Sequence, residues 1–215
     1  MTCSDHKKKA QLIIFTRYPE PGTTKTRLIP AIGKRQAAQL QQRMTERIVA
    51  EAAKCRSRLQ LPPAIHFSGG SERRMRKWLG PHLFIRQQGH DLGRKMQYGF
   101  EASFQSGAEC AVLVGSDIPA VTHAILLEAL GKVENNTVVI GPAADGGYYL
   151  LGFCAHDKDA LYPLLFADMK WSTGELYART TERLVRAGFA ICSLEMLRDV
   201  DTTGDLDFAR QQGLL

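Results

Sequence analysis

The chain has 215 residues, 44% of them hydrophobic and 23% charged, proportions of a globular protein that exclude a disordered tail, a collagen-like fibre and a coiled coil. A net charge of +6 comes from basic residues spread along the chain apart from small knots at Lys7–Lys9 and Arg73–Lys77; this is not the concentrated basic element of a nucleic-acid binder, and it suits anionic small ligands. Apolar runs such as Leu12–Phe15 are far shorter than the roughly 20 residues that span a bilayer, and no apolar stretch of secretory length follows the first basic residues, so a cytoplasmic protein without a membrane partner is expected.

In chain order, β-rich apolar runs predict strands at 11–16, 64–68, 83–87, 110–115, 137–141, 148–153 and 189–194. Between them, apolar residues three or four apart predict helices over 34–55 (Ala37, Leu40, Met44, Ile48, Ala52), 92–106 (Leu92, Met96, Phe100, Phe104), 121–133 (Ile125, Ala129, Leu130, Val133) and 174–187 (Leu176, Thr180, Leu184). Strands separated by helices imply crossovers, hence a single α/β domain over 11–215 with a mostly parallel sheet covered on both faces, preceded by a flexible segment 1–10. In such sheets ligands sit beyond the carboxyl ends of the strands, which directs attention to the loops there. The five cysteines are widely spaced and form no C-x-x-C pair, so all are expected as buried thiols.

The loop after the first strand reads T-R-Y-P-E-P-G-T-T-K-T-R-L at 16–28. Pro19, Pro21 and Gly22 restrict its course. Thr23, Thr24 and Thr26 with their backbone amides, and Arg17, Lys25 and Arg27 with their charges, are candidates to hold a diphosphate or triphosphate. G-T-T-K-T is not a P-loop, because no glycine precedes Lys25. After the fourth strand, G-S-D-I-P at 115–119 places Asp117 either as an oxygen ligand for Mg²⁺ or as the cap of the following helix. The run G-P-A-A-D-G-G-Y at 141–148 offers Asp145 to a substrate hydroxyl and Gly146 and Gly147 to a close-lying ligand; D-G is equally a hairpin signal. In R-D-V-D-T-T-G-D-L-D at 198–207, Asp205 and Asp207 suit a helix start, and Asp199 and Asp201 are expected to face opposite ways, leaving Asp201 as the second metal ligand. Trp171, before an N-cap at Ser172 or Thr173, either stacks on a base or sugar or packs in the core. No two histidines have metal-ligand spacing.

P-x-P-G-x-x-K-T-R-L at 19–28, D-L-G-x-x-M at 91–96, G-S-D-I-P at 115–119, D-G-G-Y-Y-L-L-G at 145–152, M-x-W-S-T at 169–173 and D-V-D-T at 199–202 together resemble the DUF2064 proteins, small bacterial members of the GT-A (nucleotide-diphospho-sugar transferase) superfamily. The resemblance implies a Rossmann-like GT-A domain, a nucleotide over the first half of the sheet, a divalent metal (Mg²⁺ or Mn²⁺) at Asp117, and glycosyl transfer from a nucleotide-diphospho-sugar to a small-molecule acceptor. The single acid of Gly115-Ser116-Asp117-Ile118 departs from the D-x-D of many glycosyltransferases. Together with the cationic first loop and V-D-T, it is similar to nucleotidyltransferases such as 2-phospho-lactate guanylyltransferases and CMP-Kdo synthetases, in which the acids matching Asp117 and Asp201 hold Mg²⁺. A non-catalytic nucleotide-sugar sensor is the third reading. Under the enzyme readings Lys25, Asp117 and Asp145 are the catalytic candidates, Asp117 and Asp201 the metal ligands, Arg17, Gly22, Thr23, Lys25 and Arg27 the phosphate site, and Gly146, Gly147 and Trp171 the substrate contacts.

Overall fold

A computed structural model describes residues 8–171 and 173–215. Seven strands, β1 (Ala10–Arg17), β2 (Ala64–Ser68), β3 (Leu83–Arg86), β4 (Cys110–Gly115), β5 (Thr137–Pro142), β6 (Tyr148–Cys154) and β7 (Ala190–Ser193), form one sheet in the order β3-β2-β1-β4-β6-β5-β7. Each lies within one residue of its predicted bounds. Of the segment 1–10, residues 1–7 lie outside the described residues, and Ala10 already belongs to β1.

Alternation along the strands sorts the core into two layers. Leu12, Ile14, Ile65, Phe67, Val112 and Val114 face one side. There they meet α1 (Ile29–Lys54), α2 (Glu72–Leu79) and α4 (His123–Lys132) through Ile48, Met75 and Leu126. Ile13, Phe15, Leu113, Leu151 and Phe153 face the other side, against α3 (Leu92–Gln105), α5 (Lys158–Phe166) and α6 (Leu176–Arg186) through Phe100, Leu165 and Leu184. A third cluster packs Leu28, Leu40 and Met44 against Val200, Leu206, Ala209 and Leu214, docking the C-terminal helix α7 (Leu206–Gln211) on α1. α1 extends five residues upstream of the predicted start, but Gly33 leaves helical geometry at φ 76°, so the regular helix begins where the apolar stripe does. Helices α2 and α5 are not among the predicted elements, whereas α7 follows the helix start read at Asp205 and Asp207.

The sheet is parallel except for β6, which runs antiparallel between β4 and β5. β5 and β6 form the hairpin that Asp145-Gly146 signals. This antiparallel insertion corrects the cysteine expectation: it sets Cys110 opposite Cys154, 44 residues on, and the two are joined as a disulfide. Cys55 remains a buried free thiol and Cys192 a half-buried one. None of the described helices is long and apolar enough to cross a membrane.

Glu51 ties α1 to α4 in the first layer. Its carboxylate accepts from the His123 amide at 2.7 Å and from Lys54 Nζ at 2.5 Å, with His123 Nδ1 at 3.1 Å. Burial pushes this carboxyl up, but those hydrogen bonds and the Lys54 charge outweigh it and hold it down to about 2. A depressed folded-state value stabilises above the ordinary carboxyl range near 4.5, and that stability is lost as pH falls toward 2. Glu51→Gln should cost about 2 kcal/mol in urea denaturation at pH 7 and show a shallower loss of stability between pH 5 and 3 than the wild type.

Candidate functional site

A cavity of about 530 Å³ opens over the carboxyl ends of β1 and β4. Lys25 sits on its floor. The main chain there is left-handed, φ 49° and ψ 46°, which costs a non-glycine residue about 1–2 kcal/mol. The side chain is 3% exposed, and its ammonium donates to the Val200 carbonyl at 2.7 Å. The same Nζ lies 3.2 Å from Asp117 Oδ2 and 3.6 Å from Asp201 Oδ1. Arg27 donates to the other oxygen of Asp201 at 2.6 Å. Segments from the start, middle and end of the chain therefore meet on one buried cation. Asp117 does not cap α4, whose cap is Thr122; its carbonyl accepts from the Val200 amide, and its carboxylate faces the cavity, half exposed.

Asp199 also lines the cavity, alongside Asp201. The expectation that only one of them faces a site is corrected: residues two apart on an extended segment share a face, and it is Val200 between them that points away, fully buried in the third core cluster. Burial and the charge of Asp145 push the Asp199 carboxyl up, with Asp205 adding to this and Lys25 opposing it. Asp145 both turns the chain and lines the cavity, its Oδ1 accepting from the Gly147 amide at 2.9 Å. Asp205 is withdrawn from the site: it accepts from the amide and hydroxyl of Thr202 and from Arg198, and despite burial these partners hold its carboxyl down to about 2.

Arg17, Thr23, Lys25, Arg27, Asp117, Asp145, Gly147 and Asp201 all line the cavity; Gly22, Gly146 and Trp171 do not. Gly22 takes φ +91° in the loop. Gly146 has φ +85°, and a Cβ there would stand 2.0 Å from the Gly174 carbonyl oxygen, so its role is close backbone packing. Trp171 packs on Gly93 of α3 and on the second core layer. The hydroxyls of Thr23 and Thr24 are spent on Glu20 and Tyr18 carbonyls inside the loop. Ser172 lies outside the described residues, and Thr173 donates to the Lys170 carbonyl instead of capping α6, which begins after Glu175.

The cavity also takes in residues outside the candidate set. Gln41, Thr16 and Ser116 form a buried hydrogen-bonded set beneath it with Thr45, including Gln41 Nε2 to Ser116 Oγ at 2.9 Å and Thr16 Oγ1 to Thr45 Oγ1 at 2.7 Å. Ser68, Gln87 and Leu92 line the side toward β2 and β3. The amphipathic stripe assigns Leu92 to the core, yet it is 45% exposed at the cavity. Its place in D-L-G-x-x-M at 91–96, where a helix starts near a strand end, is the signal that marks it.

The sheet order, the position of the cavity and the acids around a buried lysine define a nucleotide-sugar transferase or nucleotidyltransferase-like fold. The chain belongs to the DUF2064 family, described as uncharacterized and conserved in bacteria, which matches residues 48–173. A crystal structure from Desulfovibrio desulfuricans G20, provisionally described as a nucleotide-diphospho-sugar transferase, is 35% identical with a TM-score of 0.83, over 93% of this chain and 85% of that one. A nucleotidyl transferase from Methanothermobacter thermautotroptrophicus shares the fold at 15% identity and a TM-score of 0.66, over 96% and 98% of the two chains. A CMP:2-keto-3-deoxy-manno-octonic acid synthetase complexed with CTP shares it at 13% identity and 0.56, over 94% and 97%. No curated protein matches the chain.

Gly146→Ala tests the packing role directly. The strained φ and the collision with Gly174 should together lower stability by at least about 2 kcal/mol in urea denaturation, whereas Gly107→Ala, also at positive φ but with open space around it, should cost only the backbone part.

Proposed function

We propose that this protein is a metal-dependent transferase that uses an activated nucleotide donor, and that it transfers a glycosyl group from a nucleotide-diphospho-sugar to a small-molecule acceptor. The observation that carries the reading is the meeting of Lys25 with Asp117 and Asp201 on a cavity floor. Arg17 and Arg27 at the rim would grip the diphosphate oxygens with charge-assisted hydrogen bonds, and Lys25 would approach them from below. The backbone amides entering the 3-10 turn at Thr26–Leu28 add neutral donors, whereas both the amide and the hydroxyl of Thr23 are already spent on the Glu20 carbonyl.

The donor set fits a divalent cation of the magnesium type. Asp117 and Asp201 offer hard carboxylate oxygens toward the cavity, and no cluster of three or more acidic, histidine or cysteine ligands occurs among the described residues. That is the pattern for an ion held by one or two carboxylates and completed by substrate oxygens and water. When bound, Mg²⁺ would supply charge neutralisation for the departing nucleotide. In the transfer itself the acceptor oxygen bonds to the anomeric carbon as the bond from that carbon to the diphosphate breaks. The nucleoside diphosphate leaves, and the hydroxyl proton passes to Asp145, which lines the cavity next to Gly147.

A second reading is nucleotidyl transfer, favoured by the number of cations on the first loop and by the single acid at Asp117. An acceptor oxygen would then attack the α-phosphorus of a nucleoside triphosphate and release pyrophosphate. Side-by-side incubation with nucleotide-sugars and nucleoside triphosphates separates the two, by release of nucleoside diphosphate or of pyrophosphate. Binding of nucleotide with neither product would favour a sensor. Asp117→Ala should lower turnover by two or more orders of magnitude with an unchanged circular-dichroism spectrum; full activity of that variant with Mg²⁺ would remove the metal assignment.

A further inference from the structure

Ser116, the residue before Asp117, belongs to a closed ring of side-chain hydrogen bonds whose four members are all buried. Its hydroxyl donates to Thr16 Oγ1 at 3.2 Å and accepts from Gln41 Nε2 at 2.9 Å. Gln41 Nε2 also donates to Thr45 Oγ1 at 3.3 Å. The Thr45 hydroxyl has one proton and gives it to the Gln41 carbonyl one helical turn back, at 2.9 Å. At the 2.7 Å contact between Thr16 Oγ1 and Thr45 Oγ1 the donor is therefore Thr16, for which this is far closer than its 3.5 Å approach to the Arg17 carbonyl. Every proton of the ring is then assigned, and the end of β1, the face of α1 and the turn after β4 are linked in one fixed arrangement.

The main chain of that turn is held on either side of the candidate ligand, by the Ser116 amide on the Phe15 carbonyl and by the Val200 amide on the Asp117 carbonyl. The Asp117 carboxylate, half exposed toward the cavity, has Lys25 as its one charged partner among the described residues. Its aim is set by the backbone at Ser116, and the Ser116 side chain is what fixes that backbone to α1 through Gln41. Apolar contacts at this place would resist separation yet allow rotation, because hydrophobic burial is non-directional. Hydrogen bonds are directional, and breaking any one of these leaves a buried polar group unpaired. Resting on the metal-dependent reading above, we propose that Gln41 and Ser116 are positioning residues for the binding of a divalent cation at Asp117. They act through the main chain that carries the ligand, as the outer partners of a metal site orient its ligands.

Calorimetric titration of the full chain with Mn²⁺ reads the site directly, alongside urea denaturation of each variant. The wild type should bind the ion and Asp117→Ala should not. Gln41→Met keeps the length of the side chain and removes its amide; this variant and Ser116→Ala should each bind Mn²⁺ at least about tenfold more weakly. Ser116→Thr retains the hydroxyl and should stay within about threefold of the wild type. Ile48→Val trims a core contact of the same helix, so it should lower stability and leave Mn²⁺ affinity unchanged, which separates positioning from general loosening. Folded Gln41→Met and Ser116→Ala proteins with the wild-type affinity would overturn the positioning role and leave the metal reading standing. A wild type that binds no Mn²⁺, or an Asp117→Ala protein that binds it equally well, would overturn both. If one of the two ring variants fails to fold, the other decides; failure of both would assign the ring to stability alone and overturn the proposal.

Discussion

The arrangement of the cavity depends on one buried ammonium. Lys25 is almost completely shielded from solvent and satisfies its charge with one carbonyl and two carboxylates contributed by segments far away in sequence. A buried cation without such partners would be strongly unfavourable, so the three segments are bound to one another by the requirement to neutralise it. The left-handed backbone at Lys25 belongs to the same constraint: the loop accepts local strain to aim the side chain beneath the strand ends. The acids at the cavity stay partly exposed, facing the space where a ligand would lie.

The rest of the architecture holds those segments in register. β1 and β4 are adjacent parallel strands, so the loops carrying Lys25 and Asp117 leave the sheet side by side. Val200 is anchored twice, by its side chain in the third core cluster and by its amide on the Asp117 carbonyl. That anchoring turns Asp199 and Asp201 to the cavity together. Beneath them, the linked hydroxyls and amide of Thr16, Gln41, Thr45 and Ser116 give a polar floor whose buried groups are mutually satisfied.

Much of this was legible in the amino-acid order, for identifiable reasons. Strands buried on both faces announce themselves as short β-branched runs, and the long helices α1 and α3 show their stripes over several turns. Lys25, Asp117 and Asp201 were recognisable as candidates because charged residues stand out where strands end. Partnerships set by three-dimensional neighbours were not legible. The antiparallel entry of β6 between β4 and β5, and with it the pairing of Cys110 with Cys154, depends on sheet order. Asp199 reaches the cavity beside Asp201 because alternate and not adjacent residues of an extended chain share a side. Gln87 carries no distinctive pattern, and Leu92 carries a helical stripe that points to the core; only the fold brings them to the cavity wall.

The hydrogen bond between Lys25 and Val200 spans 175 positions. During synthesis the cationic loop leaves the ribosome early, while the stretch that neutralises it emerges only after every strand of the sheet has been made. Until then Lys25 has no counterpart from residues 199–201, and the pocket floor stays unfinished although most of the hydrophobic layers can already assemble. The cavity floor is therefore completed only with the last segments of the chain, after the framework that supports it.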